Sequence, residues 1–463
     1  MKYLDHSPTA GETLRSRETV DGKKRHAFFS PELAHNRKEW AKLALPTFAL
    51  VTVFMFLFLS IYFGSYYSQI PRATHFSIEV IDLDSLASPS GSAAHPAILG
   101  PAIRTAITEA DTIEPHLGWY EADASTLQTF RLTPTGQGMD VYDYSVDKVN
   151  NQDVWAVMII NANATSGVWA SVTSGAAWDP TGAITFIYEE ARNFYATDQY
   201  VSRLGLELMT AATSSADTTL ASQVLALGNA TAVLSAAPPS SVIGAFSFNM
   251  HNLHPFDQTG GIPATTIGTV YLIIFTFLIS VSWNNLGLPL IQEKLSLGSE
   301  VLIKIVIPFL GTVLLSLLLA IPPLLARFPG LPNFIHMSAL GFVMETVFLW
   351  LGPFFPFFLI FWVIINVSVA FLDIGDAPTF YRYGFSLPVW NLVDAAKSII
   401  FATKDHVTQN LAVELAWMFV WMILLGITVV LQRRKKEAAR MKAKWDEMKG
   451  ADEKASGREK GHE

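Results

Sequence analysis

The chain has 463 residues, 51% of them hydrophobic and only 16% charged, with a formal net charge of −8 and no cysteine. Soluble chains of this size carry about 25% charged residues, so the deficit argues against an ordinary soluble protein and for a membrane one. The lack of cysteine excludes disulfides, thiolate metal sites, cysteine nucleophiles and iron–sulfur clusters.

Residues 1–42 are polar, mixed in charge and without hydrophobic periodicity, which predicts a disordered tail. Its second half carries Lys23, Lys24, Arg25, Arg37, Lys38 and Lys42 against Glu32 and Glu39. Basic residues just before an apolar run are the signal of a cytoplasmic flank. The run itself, 43–63, predicts a first transmembrane helix, with Tyr62, Tyr66 and Tyr67 as interfacial aromatics at its far end. It starts too far into the chain for a signal peptide and reads as an uncleaved anchor.

Residues 64–261 are the one stretch able to fold in water. They hold six basic and nineteen acidic side chains, a balance of −13, which suits a segment moved away from the basic tails. The alternation in 76–84 and the short β-branched runs 154–160 and 183–188 predict strands. Residues 100–113 and parts of 189–227 predict helices, and 246–256 reads as the return to the membrane. We expect an inserted extracytoplasmic α/β domain. Asn163 and Asn229 each begin an N-x-[ST] acceptor and are candidate glycosylation sites.

Residues 262–431 predict a five-helix membrane domain. A helix needs about 20 apolar residues to cross the hydrocarbon core, and the runs fall at about 262–283, 301–326, 334–351, 354–372 and 411–431. The uninterrupted stretch 334–372 is too long for one crossing, and Gly352-Pro353 with Pro356 near its middle predicts a tight hairpin. Lys304 falls one turn into its span, where its stem would snorkel to the interface. A loop follows at 322–332 with Arg327, and 373–410 forms a longer polar connection with an amphipathic piece at 389–402. The last segment, 432–463, has eleven basic and seven acidic residues, four of the basic ones directly at the membrane edge. With both tails on the cytoplasmic side the number of spans must be even, and six is the expectation.

The connection before the final span reads Phe380-Tyr-Arg-Tyr-Gly-Phe-Ser-Leu-Pro388, then Asn391, then Ile399-Ile-Phe-Ala-Thr-Lys404. With the one-plus-five layout and the 155–165 run, this string resembles the fungal nitrosoguanidine-resistance protein family. That family is distantly similar to phage-infection-protein-like membrane proteins and to the permease half of ABC-2 type exporters. The likeness covers about 43–431. Where the family pattern leads one to expect Tyr-Ala-Met, this chain has Phe385, Ser386 and Leu387. The resemblance implies a multi-pass membrane protein linked to drug or mutagen resistance through export or membrane-lipid organisation. The alternative is a non-transporting scaffold or adaptor whose external domain binds a partner.

No G-x-x-x-x-G-K-[ST] loop is present, so ATP phosphates are not cradled in the P-loop manner by this chain. H-E-x-x-H, G-x-S-x-G and G-x-G-x-x-G are also missing from the sequence, and we expect no enzyme and no cofactor. His251 and His254 sit in an Asn/Pro-rich stretch and read poorly as a metal pair; adjacent Glu189 and Glu190 would point in opposite directions on a strand.

The candidate functional residues lie in the membrane block. Glu345 occupies the middle of the fourth span, the costliest place for a carboxylate. It is read as a hydrogen-bonded group pinning helices, as part of a substrate or proton path, or as facing a wet groove. Ser338, Gly341, Glu345 and Gly352 share a helix face that small residues would turn inward. Asn366, on the returning helix at similar depth, is expected to meet Glu345. Tyr381, Arg382, Tyr383, Gly384 and Pro388 are read as an interface anchor, with a gate or lateral lipid contact as the functional alternative. The expected partners are the lipid bilayer, a small hydrophobic drug or lipid substrate and a second copy of the chain, with no nucleic acid. The plasma membrane is the expected location, an endomembrane the alternative.

Overall fold

The computed structural model describes residues 19–20, 23–24, 26–67, 69–87, 95–131, 140–258, 261–320 and 330–459. Most of the 322–332 loop, with Arg327, lies outside them, as does the start of the N-terminal tail. The chain forms two compact units, Met1–Ser60 and Ile61–Glu463.

In the first unit a helix, α1 (Ala34–Ser65), already begins at Ala34, inside the stretch expected to be disordered. The segment from Ala34 to Lys42 is rich in Ala, Arg, Lys and Glu, good helix formers whose charge hid the continuation. Further along, the Thr47 and Thr52 hydroxyls bond back to the carbonyls of Leu43 and Phe48, so neither is left unsatisfied in the apolar run.

In the second unit the water-exposed segment folds around five strands. These are β1 (Ser77–Asp82), β2 (Gly118–Glu121), β3 (Ala156–Ile160), β4 (Ile184–Tyr188) and β5 (Phe248–Asn252), in the order β2-β1-β3-β4-β5. β1 is parallel to β2 and to β3, β4 is antiparallel to β3, and β5 is parallel to β4.

Period-2 alternation divides the strand side chains between two cores. Ile78, Val80, Met158, Ile160, Ile184 and Phe186 face one way, under α2 (Leu99–Ala110), α4 (Ala164–Ser174) and α5 (Ser202–Leu225). Ile81, Val157, Ile159 and Ile187 face the other and meet α3 (Val141–Asn150) through Val149. The 246–256 stretch, expected to be a simple return, supplies the edge strand β5. Its alternating Phe, Met and polar residues are half-buried at best, so it lacks the apolar run of a central strand.

The membrane block comprises α6 (Ile267–Ser282), α7 (Leu297–Ala320), α8 (Gly330–Leu351), α9 (Phe355–Ala370), α10 (Pro388–Phe401) and α11 (Val407–Glu459). With the N-terminal helix, five helical segments are long and apolar enough to cross a membrane; one of them, Leu331–Ala370, contains both α8 and α9. The chain is therefore a polytopic helical membrane protein.

At Gly352 the backbone takes φ +52, a left-handed conformation that favours glycine, and a short 3-10 turn Gly352–Phe354 separates α8 from α9. The chain reverses there. His336 near the start of α8 pairs with Glu414 near the start of α11, while the Phe371 carbonyl just past α9 accepts from Asn193 of the α/β domain. Both outer ends of the hairpin thus lie toward that domain.

The amphipathic piece expected at 389–402 is α10. It presses Leu392, Ala396 and Phe401 against Ala191 and Ala264, and a stack of Phe194, Phe256 and Phe401, with ring centres 5.1 and 4.6 Å apart, ties it to the α/β domain.

Candidate functional site

The membrane block buries two charged clusters, and three helices build the first. α6 runs into a π-helical turn, Trp283–Gly287, that carries Asn284. One residue inserted per turn rotates the side chains that follow, and such turns recur at functional positions. Asn284 Nδ2 donates to both carboxylate oxygens of Glu345 at 2.7 Å, and its Oδ1 accepts from Lys304 Nζ at 2.8 Å. Lys304 Nζ also reaches Glu345 Oε1 at 3.2 Å. Glu345 and Lys304 are 0% and 1% exposed, so this ion pair is taken fully out of solvent.

Two expectations are corrected here. Lys304 does not snorkel outward; it turns inward because a buried carboxylate one helix away offers it a partner. Asn366 does not meet Glu345. It is buried, donates to Trp362 O at 2.9 Å and accepts from Val389 N at 3.4 Å, so it satisfies a free amide in the first turn of α10.

The inward face expected on α8 is present for Ser338, Gly341 and Glu345 but not for Gly352, which lies in the turn past the helix where a Cβ would meet nothing within 4 Å. Ser338 and Glu345 are buried, Ser338 Oγ lies 3.0 Å from Thr312 Oγ1 of α7, and a Cβ on Gly341 would meet Thr312 Cγ2 at 3.6 Å. On α7 the polar side chains Glu300, Lys304, Thr312 and Ser316 recur at multiples of four and are all buried, forming one stripe.

Beyond Lys304 a cavity of about 440 Å³ opens at the end of the bundle where α11 continues past its apolar part. Glu300, Lys304, Gln432, Arg433, Lys436 and Arg440 line it. At its mouth Arg433 Nη1 donates to Glu300 Oε2 at 2.8 Å, and Gln292 Nε2 donates to Glu300 Oε1 at 2.6 Å.

The second cluster lies toward the α/β domain. His336 Nδ1 and Glu414 Oε1 are 2.7 Å apart and both side chains are buried. His336 Nε2, Glu414 Oε2 and Asn333 Oδ1 have no hydrogen-bond partner among the described residues. Sequence reasoning missed this pair because Glu414 falls near a span end, where solvation is the ordinary explanation. The two pairs lie on opposite faces of α8, nine residues apart, Glu345 toward α6 and α7 and His336 toward α11. Buried ionisable groups in an apolar bundle mark proton or substrate sites more often than structural ones.

The 380–388 string acts as a strut. Tyr381 is buried and its hydroxyl donates to Ile61 O at 2.6 Å, while Tyr383 Oη donates to Ile365 O at 3.2 Å. Arg382 is exposed. Gly384 packs so closely on α9 that a Cβ would come within 2.7 Å of Val369 Cβ and of Ile374 Cδ1. Pro388 opens α10, where its missing amide costs nothing.

In the α/β domain, Asn163 and Asn229 are exposed. His251 accepts from or donates to the Tyr142 hydroxyl, while His254 Nε2 lies 3.2 Å from Asn150 Oδ1, so each histidine has its own partner. Glu190 accepts from Asn252 Nδ2 and from Phe256 N.

Glu189 is buried, and its two oxygens have no hydrogen-bond partner among the described residues. Burial pushes its carboxyl from the ordinary 4.5 up to about 7, against the weaker pull of Arg192 and Lys397. The folded state therefore holds this proton more tightly than the unfolded chain does. The associated stability is present below pH 4.5 and is lost as the pH rises to about 7. Glu189→Gln is expected to flatten that dependence and to stabilise the protein at pH 8 by up to about 3 kcal/mol. Thermal unfolding midpoints between pH 5 and 8, compared with wild type, check it; parallel curves would contradict the assignment.

Compared with known families, residues 47–423 match a family model described as Protein of unknown function (DUF3533). No solved structure matches the chain.

Proposed function

Because the chain belongs to this family of unknown function, we propose, from its chemistry, that it is a transporter-like membrane protein. In this reading it exports small hydrophobic compounds or lipid and so contributes to drug or mutagen resistance. The observation that carries the reading is the Lys304–Asn284–Glu345 network at the end of the 440 Å³ cavity. A buried ion pair is weak support for stability and is often replaceable by apolar residues, so its presence in an apolar bundle favours a role in passage.

A second cavity, of about 470 Å³ and almost wholly apolar, lies among α8, α9 and α11 beside Trp350, Phe358 and Trp421. Its volume falls within the range of pockets for drug-sized ligands. The sequence carries no phosphate-cradling loop, so the energy comes from a separate ATPase or from an ion gradient, and the buried Lys304–Glu345 and His336–Glu414 pairs are the groups that would respond to a proton gradient.

The topology that goes with this reading has six spans, with α8 and α9 crossing separately, both termini cytoplasmic and the α/β domain outside. The 440 Å³ cavity then opens to the cytoplasm, among the basic residues of α11. Two measurements test the arrangement. Endoglycosidase treatment is expected to shift the mobility of the wild type but not of a variant lacking both Asn163 and Asn229. Single cysteines placed from 348 to 358 in this cysteine-free chain are expected to label from the cytoplasmic face; labelling from outside alone would rule the topology out.

Function itself is tested by efflux of fluorescent hydrophobic compounds and lipids from proteoliposomes, with and without a pH gradient. Failure to move any of them, with membrane insertion intact, would favour the scaffold reading instead.

A further inference from the structure

A third polar cluster lies outside the membrane-spanning helices, where α10 and the start of α11 meet the α/β domain. It surrounds a cavity of about 260 Å³ whose charged lining is Arg192, Asp373, Asp394, Lys397 and His406. Phe385, Trp390, Leu372 and Val393 form its apolar wall.

Arg192 and Lys397 are not paired with the carboxylates in the way an inert salt-bridge cluster would be; Asp394 is taken by His406 instead. Asp394 Oδ2 accepts from His406 Nδ1 at 3.1 Å and from Asn410 Nδ2 at 2.9 Å. Asp373 Oδ1 accepts from Gly375 N at 2.8 Å.

Among the described residues, neither Arg192 nor Lys397 forms an ion pair with a carboxylate. Lys397 Nζ donates once, to Arg192 O at 2.9 Å. Arg192 Nη1 donates to Val154 O at 3.0 Å, and the guanidinium lies 3.9 Å from the centre of the Trp155 ring. An ammonium has three donors and a guanidinium five, so most of the donors on both cations are unused at the cavity.

Burial draws both cations below their ordinary pKa, and the nearby carboxylates only partly offset it. His406, by contrast, is raised by its hydrogen bond to Asp394. With His406 and Asp394 counted as one neutralised pair, Arg192 and Lys397 stand against Asp373 and the buried Glu189, whose carboxyl burial pushes up to about 7; with Glu189 protonated, one positive charge is left. The complement is a singly charged oxyanion.

Size and position narrow it further. Ligand pockets for whole drug-sized molecules start at about 300 Å³, so 260 Å³ suits a head group or a small ester. Ala370, the last residue of the α9 helix, lines the same cavity. The site therefore lies at the end of an apolar helix, against the α/β domain.

We propose that this cavity binds a phosphodiester monoanion, held by Arg192 and Lys397 against the Trp390 wall. The source is either a phospholipid head group or a soluble phosphodiester. The inference is independent of the transport reading, since binding needs no gradient and no passage.

The test uses the purified full chain in a non-ionic detergent, titrated calorimetrically with dihexanoylphosphatidylglycerol below its micelle concentration, with glycerophosphoglycerol and with sodium acetate. Binding of both phosphodiesters supports the proposal and makes the soluble ester sufficient; binding of the lipid alone supports it with lipid as the source. Lys397→Gln is expected to weaken binding at least tenfold, and Lys397→Arg to retain it. Gln152→Glu, at the partly exposed rim of the same cavity, adds a negative charge without touching either cation and is expected to weaken binding by a similar factor. It decides the matter if Lys397→Gln does not fold. Binding of neither phosphodiester overturns the proposal. So does acetate binding as tightly as they do, or unchanged affinity in the variants that fold.

Discussion

Glu345→Leu is expected to deplete the folded protein from the membrane, because it leaves Lys304 charged, 1% exposed and with Asn284 Oδ1 as its one remaining partner in the cluster. Breaking a buried pair from one side costs about 3–5 kcal/mol, which is a large part of the stability of a typical domain. Glu345→Gln keeps the shape and the hydrogen bonding but also leaves the ammonium without a counter-charge, so it too should lower the level, by less.

The informative variant is the double one. Glu345→Leu with Lys304→Leu removes both charges, and replacing a whole buried pair by apolar residues is commonly neutral or stabilising. Its membrane level, read by fluorescence-detected size exclusion, is expected to return toward wild type. If the network lies on the transport path, efflux and drug tolerance stay lost at that recovered level. Recovery of both would reduce the pair to a structural pin, and an undiminished level in Glu345→Leu would show that no charge is stranded there.

The second large effect belongs to the α/β domain. Phe186 on β4 is fully buried, and its ring lies against Gly205 of α5, where a Cβ would come within 2.9 Å of Phe186 Cζ. Phe186→Ala is expected to cost about 3–5 kcal/mol. The upper end applies because the residue facing the ring is a glycine, with no side chain to move into the space. Gly205→Val alone should destabilise by overpacking, by about 1–3 kcal/mol, yet in the Phe186→Ala background it should recover part of the loss. That sign reversal, measured by thermal unfolding, is a coupling between two residues in contact. Simple additivity of the two changes would show that the ring does not pack on that glycine.

What could be read from the sequence follows the way each element is stabilised. The apolar helices are set by solvent preference, which is written residue by residue, and the hairpin at Gly352 by a residue type that tolerates φ +52. The strands β1, β3 and β4 lie in the middle of the sheet; β3 is an uninterrupted apolar run, and β1 and β4 carry apolar, mostly β-branched residues broken only by Glu79 and Thr185. β2 and β5 are its edges, β2 only four residues long and β5 alternating polar with half-buried residues, and neither has the run of a central strand.

The site was legible only in part. Glu345 announced itself by its cost. Its partner did not, because the orientation of Lys304 depends on how α7 is rotated against α8 and on the π turn that brings Asn284 into line. Neither is encoded in a local pattern. Asn366 at similar depth was the natural guess, and it failed because α10 offered that amide a nearer backbone donor.

α11 extends from Val407 to Glu459 without a break, 53 residues in all, or roughly 80 Å at helical rise. Its apolar part needs only about 20 residues to cross a bilayer, and from Met441 on, past the last lining residue of the 440 Å³ cavity, on the order of 30 Å of it stands clear. Arg433 and Arg440, at the root of that free length, are tied to Glu300 in the first turn of α7 and to Glu293 on the joint before it. A rod clamped at its base works as a pointer. A tilt of about 10° at the root displaces a point some 30 Å along it by roughly 5 Å. A probe on the far end of α11 would therefore magnify an angular change at the Glu300 clamp too small to resolve among the packed helices themselves.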